Sequence, residues 1–360
     1  MRPFIYSAPA SRVIFGPGVL SCLPETLDRL GLTRTLVIGT PSALSAVRSM
    51  LVQLGARVAG LFDRPVSHVP LVLAEEARRM AQALGADSCL VIGGGSAIGL
   101  GKAVALTSGL PIVAVPTTYS GSEMTSVYGI TDGGKKCTGR DPRVLPSAVL
   151  YDPTLTVSLP PALSASSGMN SIAHCVEALY AQDGNPVVSL MAEEGIRALA
   201  SALPSIVACP SDEESRTLAL YGAWLAGMSL GSTTMGLHHK VCHVLGGSFD
   251  LPHAAMHSIV LPHAAQYNSG AAPEAMARIA RALGTDCSST GLYRLAEQLR
   301  IPLSLAEIGM PQDGLEDAAR QITAEPYPNP AQVSFSGVLS LLQSAYAGAV
   351  PAAERPSITS

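Results

Sequence analysis

Short apolar runs and amphipathic stretches alternate along the first 150 residues. Residues 12–15 form an early strand candidate, 24–30 read as a helix, and 35–39 as a buried strand. A helix is predicted over 42–54, a strand over 57–62, and helical spacing returns over 71–84. Residues 89–92 are a strand running into Gly93-Gly94-Gly95, followed by a helix over 98–107 and a strand over 111–115. Strands that alternate with helices in this way build a parallel sheet with helices on both faces. After Pro160-Pro161 the β-like runs thin out. Helical pattern or composition marks 164–181, 187–202, 213–230, 234–245, 253–268, 273–283, 291–299 and 313–323. The chain is therefore expected to pair an α/β domain over 1–158 with an all-helical domain over 159–360. No internal repeat is visible, and residues 351–360 read as a tail.

Composition supports a large core, with 48% of residues apolar and 14% charged. The net charge of −4, with no basic block, argues against a nucleic-acid partner. No apolar run reaches the ~18 residues of a membrane span, and Met1-Arg2-Pro3-Phe4 lacks the form of a signal peptide. Seven scattered cysteines, an odd number with no CxxC pair, suit reduced thiols in the cytoplasm.

Two loops carry candidate chemistry in the first domain. Val91-Ile92-Gly93-Gly94-Gly95-Ser96 is a strand, a glycine turn and a helix start. Successive glycines let backbone N–H groups approach an anion, and the helix N-terminus adds partial positive charge. Ile98 stands where a GxGxxG motif has its third glycine, so Gly99 and Gly101 are expected to serve close packing of helix on sheet. A glycine turn without a ligand is the competing reading. The second loop, Pro116-Thr117-Thr118-Tyr119-Ser120-Gly121-Ser122-Glu123, leaves the next strand with a run of hydroxyls. Ligands of open α/β sheets bind at such strand ends, so the two loops are expected to share a crevice holding a dinucleotide. The strand over 35–39 ends in Gly39-Thr40-Pro41, without a carboxylate to repel a 2′-phosphate, so Thr40 is compatible with NADH or NADPH. Asp63 is a conceivable ribose partner but reads more simply as a turn residue.

Six of the eight histidines fall between positions 238 and 263. His239 and His243 lie four apart, Asn170 and His174 form the same spacing on an earlier helix, and His253 opens another helical run. Side chains at i and i+4 project side by side and can meet one ligand. Lone histidines such as His68, His257 and His263 read as caps or core residues. Lys240 would ordinarily be a solvated surface residue; beside the histidines it can recognise a carboxylate.

In this order, the GGGS turn, the PTT…GSE loop, Asp152-Pro153, the NxxxH helix, HxxxH and Pro252-His253 resemble the iron-containing alcohol dehydrogenase superfamily. The resemblance runs from about residue 6 to residue 282. Gly99-Leu100-Gly101-Lys102, the run from Pro116 to Thr125, the run from Thr138 to Pro146, and Leu237-His238-His239-Lys240-Val241-Cys242-His243 are most similar to its maleylacetate reductases. The resemblance implies a Rossmann-like N-terminal domain and a helical domain, the dehydroquinate synthase-like fold, in a homodimer. It also implies cofactor contacts from Gly94, Gly95, Ser96, Thr117, Thr118, His68 and Lys136. The family's metal set, an Asp and three histidines, maps onto Asn170, His174, His239 and His253, and His243 matches a proton-relay histidine. Asn170 departs from that set, because an amide brings no negative charge to Fe²⁺ or Zn²⁺. A metal is accordingly not expected to be required.

The implied activity is NAD(P)H-dependent reduction of the C=C bond of maleylacetate, a small keto-diacid, to 3-oxoadipate in aromatic-compound degradation. His243 and His253 would act as acid and enolate stabiliser. His239, Lys240 and His174 would form a cationic pocket for the carboxylates. The alternatives are a metal-dependent alcohol or aldehyde dehydrogenase of the same superfamily, an NAD-using lyase resembling dehydroquinate synthase, and a nucleotide-binding module without catalysis.

Overall fold

A computed structural model describes residues 4, 6, 11–66, 68–133 and 135–352. The chain divides into two compact units. One runs to Leu159 and takes in Ser211–Leu220; the other holds Pro160–Pro210 and the chain from Tyr221 onward.

The first unit is built on strands β1 (Arg12–Phe15), β2 (Thr35–Gly39), β3 (Val58–Phe62), β4 (Ser88–Gly93) and β5 (Ile112–Pro116). A hairpin, β6 (Val127–Asp132) and β7 (Lys135–Arg140), and a final strand β8 (Ala148–Tyr151) follow. Six strands form one parallel sheet in the order β1-β8-β5-β4-β2-β3, while β6 and β7 pair antiparallel in a separate ribbon. Helices α1 (Leu23–Arg29), α2 (Pro41–Ala46), α3 (Arg48–Leu54), α4 (Leu71–Ala83) and α5 (Gly95–Ser108) cover the sheet. Side chains alternate across a strand, so each strand feeds two cores. Cys89 and Val91 of β4 pack in one cluster with α4 and α5, while Leu90 and Ile92 pack in the other with Leu23, Leu44 and Leu54. The helix predicted over 42–54 is broken at Val47, which leaves the helical region (φ −109°, ψ 16°) and separates α2 from α3.

The packing on the sheet expected of Gly101 is met, since a Cβ there would lie 2.4 Å from Val91 Cγ2, whereas one on Gly99 would meet Val69 Cγ2, outside the sheet, at 2.8 Å. Helix α5 thus sits closer to the sheet than any side chain would allow. The hairpin escaped the sequence reading because 127–140 is rich in glycine and charge and lacks an apolar run, whereas β8 was missed although Ala148-Val149-Leu150-Tyr151 is a short apolar run. The entry to that hairpin is held instead by Lys102 of α5. Its buried Nζ donates to Ser122 O (2.6 Å), Thr125 O (2.8 Å), Thr125 Oγ1 (2.9 Å) and Val127 O (2.8 Å). Burial pushes this amine down to about 7, with the buried Glu123 pulling it back up. Three of these partners are carbonyls, which can only receive protons, and they favour its charged form.

The second unit is helical: α6 (Pro161–Tyr180), α7 (Pro186–Ala208), most of α8 (Glu213–Ser232), α9 (Leu237–Phe249), α10 (His253–Asn268), α11 (Pro273–Leu283), α12 (Ser288–Gln298), α13 (Leu315–Thr323) and α14 (Phe335–Ala347). One of its cores joins α9, α10, α13 and α14. Helix α14 was not predicted, although Val338, Leu341, Leu342 and Ala345 bury at helical spacing. The start of α8 groups with the first unit, whereas the sequence reading assigned all of 213–230 to the helical domain. The reason is Arg216, fully buried, which donates to Tyr119 Oη (3.1 Å) and Leu159 O (2.9 Å).

Among the described residues, no helix is long and apolar enough to cross a membrane. All seven cysteines are free. His263 lies in the core at 5% exposure, as read from the sequence, and burial lowers its pKa to about 4. Between pH 6.5 and 4 the unfolded chain therefore binds a proton there that the folded chain refuses, so stability falls as pH falls through that window. In urea titrations across this range, His263→Gln should lose less stability than the parent, by on the order of 3 kcal/mol at pH 4. Parallel curves for the two proteins would contradict this account.

Candidate functional site

In the first unit, the parallel direction of β2, β4 and β5 puts Thr40, the glycine turn and the threonine loop at the carboxyl edge of adjacent strands. Gly93 pairs in register with Pro116, and Thr117 N donates to Gly93 O at 3.1 Å. The two loops therefore share one edge, as expected. Helix α5 starts at Gly95 with Gly94 as its N-cap and no side-chain cap. Its first N–H groups are the orphan donors of a helix N-terminus. A Cβ on Gly94 would lie 2.7 Å from Thr118 Cγ2, whereas Gly95 has only Ser120 nearby, at 3.8 Å. The turn is a backbone-lined cradle that can hold a diphosphate.

Thr40 caps α2 by accepting from Ala43 N at 3.3 Å, and its Oγ1 lies 3.1 Å from Ser42 Oγ. His68 is exposed in a left-handed conformation (φ 63°), and its carbonyl accepts from Thr131 Oγ1 at 2.7 Å. Asp63 is exposed just beyond β3. The side chain of Lys136 lies outside the described part of the structure.

In the second unit, three helices each present side chains at i and i+4. Helix α6 supplies Asn170 and His174, with Glu177 one turn further; α9 supplies the pairs His239/His243 and His238/Cys242; α10 supplies His253 and His257. The rings of His174 and His239 stack at 5.2 Å between centroids, and His239 and His257 meet edge-on at 5.3 Å. His253 lies 4.4 Å from His257, and His243 lies 6.3 Å from His239. His174, His238, His239 and His257 are buried, while His243 and His253 are exposed. Lys240 is half-buried, its Nζ 5.9 Å from the centre of the Tyr327 ring. The predicted residues His174, His239, His243 and His253 thus belong to one cluster with a buried and an exposed layer.

Sequence reasoning missed four members of that cluster. Glu177, fully buried, accepts from Gly236 N (3.1 Å), His238 N (2.9 Å), His239 N (3.4 Å) and His239 Nδ1 (2.6 Å). A carboxylate there meets the positive end of α9. It also fixes a proton on His239 Nδ1, leaving Nε2 for a ligand. His257, read from the sequence as a cap or core residue, sits in the cluster instead. Its Nδ1 lies 3.0 Å from His238 Nε2, which is 3.8 Å from Cys242 Sγ. The signal was available: His257 follows His253 by four residues.

Burial, reinforced by neighbouring imidazoles, pushes His174, His238 and His257 well below the usual histidine range. At neutral pH they are uncharged. The cationic role expected of His174 is therefore corrected: it offers polarity, not charge. Asn170 Oδ1, His174 Nδ1, His238 Nδ1, His239 Nε2 and His257 Nε2 are buried with no hydrogen-bond partner in the protein. Buried polar atoms are nearly always paired, so five such atoms in one cluster point to a bound polar ligand.

The implied metal set fits poorly. It contains no carboxylate. Among the described residues, the trio whose ligand atoms lie within 4.8 Å of one another is His238, Cys242 and His257, not His174, His239 and His253.

Comparison with known proteins covers both units. Residues 10–153 match the family description "Iron-containing alcohol dehydrogenase", and residues 164–346 match "Fe-containing alcohol dehydrogenase family, C-terminal". The chain is 53% identical to a maleylacetate reductase of Burkholderia cepacia over 98% of this chain and 100% of that one. A solved structure of a putative alcohol dehydrogenase from Ralstonia eutropha superposes with a TM-score of 0.96 at 51% identity, covering 98% of this chain and 100% of the other. The maleylacetate reductase of Agrobacterium tumefaciens follows at 0.94 and 44%, with the same coverage. The resemblance read from the glycine turn and the histidine helices holds, and the chain is an oxidoreductase of the iron-containing alcohol dehydrogenase family.

Proposed function

We propose that this protein reduces the carbon–carbon double bond of maleylacetate to 3-oxoadipate with NADH or NADPH, as a cytoplasmic homodimer in aromatic-compound degradation. The full-length similarity to maleylacetate reductases supports the reading. The observation that carries it is Asn170 in place of a carboxylate at the metal position, with Lys240 on the neighbouring helix to meet an acid.

When bound, the nicotinamide supplies a hydride to the alkene carbon β to the ketone. Gly94, Gly95 and Ser96 would hold the diphosphate on backbone N–H groups, with Thr117, Thr118 and Thr40 beside it and His68 and Lys136 at the periphery. As the C=C bond is reduced, negative charge collects on the ketone oxygen. His243 and His253, on the open face of the cluster, would stabilise that oxygen and deliver the proton that ends on carbon. Lys240 brings the fixed positive charge for a carboxylate, and His239 and His174 supply polar nitrogens beneath it. No step is assigned to a metal, because the residues at the family's metal position do not fit one.

Purified protein should oxidise NADH or NADPH with maleylacetate far faster than with simple aldehydes, and exhaustive chelation should leave the rate intact. Loss of activity on chelation, restored by Fe²⁺ or Zn²⁺, would favour the metal-dependent alcohol dehydrogenase reading. Turnover without net NADH oxidation would favour a lyase. His243→Ala and His253→Ala should each slow single-turnover hydride transfer by roughly 10²-fold or more; near-normal rates in both would remove these roles. Gly94→Ala pushes a methyl group into Thr118 and should weaken NADH binding about tenfold, close to 1.4 kcal/mol, as read by quenching of NADH fluorescence. An unchanged affinity would move the cofactor site elsewhere.

A further inference from the structure

The 3.0 Å contact between His238 Nε2 and His257 Nδ1 holds one proton, and its owner decides what His257 presents to the rest of the cluster. If His238 donates, His257 carries its other proton on Nε2, and His238 Nδ1 is a bare acceptor. If His257 donates, the proton of His238 sits on Nδ1, and His257 Nε2 is the bare acceptor. Both outer nitrogens are buried without a partner in the protein. A stranded buried N–H is rarer than an under-used acceptor, so the remaining N–H belongs where a ligand can receive it. That place is His257 Nε2: both rings are buried and both pack against His239, but the His257 ring also lies 4.4 Å from that of the exposed His253. Cys242 Sγ, 3.8 Å from His238 Nε2, is a weak acceptor there and does not oppose this arrangement.

The rest of the buried layer points the same way. Asn170 Oδ1 is an acceptor, and with a proton held on Nδ1 by Glu177 the His239 ring turns its Nε2 to the same layer. A layer of acceptors repels carboxylate and ketone oxygens unless a donor stands among them. From these contacts we propose that His257 is a substrate-binding residue, donating from Nε2 to an oxygen of the keto-diacid, and that His238 is the positioning residue that locks its tautomer. The proposal rests on the reductase reading for the identity of the acid. The tautomer itself rests on geometry alone.

Two measurements test it. Long-range ¹H–¹⁵N spectra of histidine-labelled, substrate-free protein should place the His257 proton on Nε2, with Nδ1 bare. In steady-state kinetics, His257→Gln, whose amide N–H can reach the Nε2 position, should keep KM for maleylacetate within about tenfold of the parent. His257→Asn, which reaches only the Nδ1 position, and His238→Phe, which removes the lock, should raise KM by roughly 30-fold or more at unchanged NADH affinity. Equal behaviour of the Gln and Asn variants, or a proton on His257 Nδ1, would overturn the proposal. So would a cobalt–thiolate charge-transfer band on adding Co²⁺ that vanishes in Cys242→Ser, since an ion held by His238, Cys242 and His257 would occupy both bonded nitrogens. If a variant fails to fold, the spectrum of the parent decides. If the parent does not turn over maleylacetate, the reductase reading fails while the spectrum still tests the tautomer.

Discussion

The helical unit's chemistry turns on one buried carboxylate. Glu177 enters the cluster from α6 and receives three backbone N–H groups at the start of α9 together with the ring N–H of His239. Charge-assisted hydrogen bonds of this kind contribute about 1.5–3 kcal/mol each, and the low dielectric around them makes their loss costly. Without this anion, the first turn of α9 would lose its cap and His239 its orientation. The spacing of His238, His239, Cys242 and His243 along one helix then carries that orientation to the remaining rings. A negative charge therefore organises a site meant for an acid, but from behind, with the His239 ring between it and the ligand.

The cluster also shows how burial sets protonation. Several imidazoles this close cannot all carry charge, and those farthest from solvent are driven neutral. Neutral rings still donate and accept, so what each one offers a neighbour is set by its tautomer. The exposed pair His243 and His253 keeps contact with water.

Much of this was legible in the sequence. The strand, glycine turn and helix around Gly94 announced themselves because a buried parallel strand is a continuous apolar run and glycine marks a backbone constraint. The i, i+4 histidines were equally plain. Glu177 was not, because a single acid in the apolar run Cys175-Val176-Glu177-Ala178-Leu179 gives no clue to which N–H groups surround it until α9 is placed. His257 was misjudged for a different reason: its partner His253 had already been given a role from the family pattern, so the repeat of the spacing went unused. The hairpin β6–β7 lay beyond reach because its entry is fixed by one lysine's contacts with loop carbonyls, and no periodicity encodes that.

Arg216 bears on how the two units can be separated. Its guanidinium reaches Tyr119 and the carbonyl of Leu159, while the helix that bears it continues into the other unit from Tyr221. A cut at residue 159 would separate the Arg216 guanidinium from the Tyr119 hydroxyl and the Leu159 carbonyl. The sheet domain is accordingly not a continuous stretch of chain, and a chimera that exchanges it has to carry the segment from 211 to 220 with it.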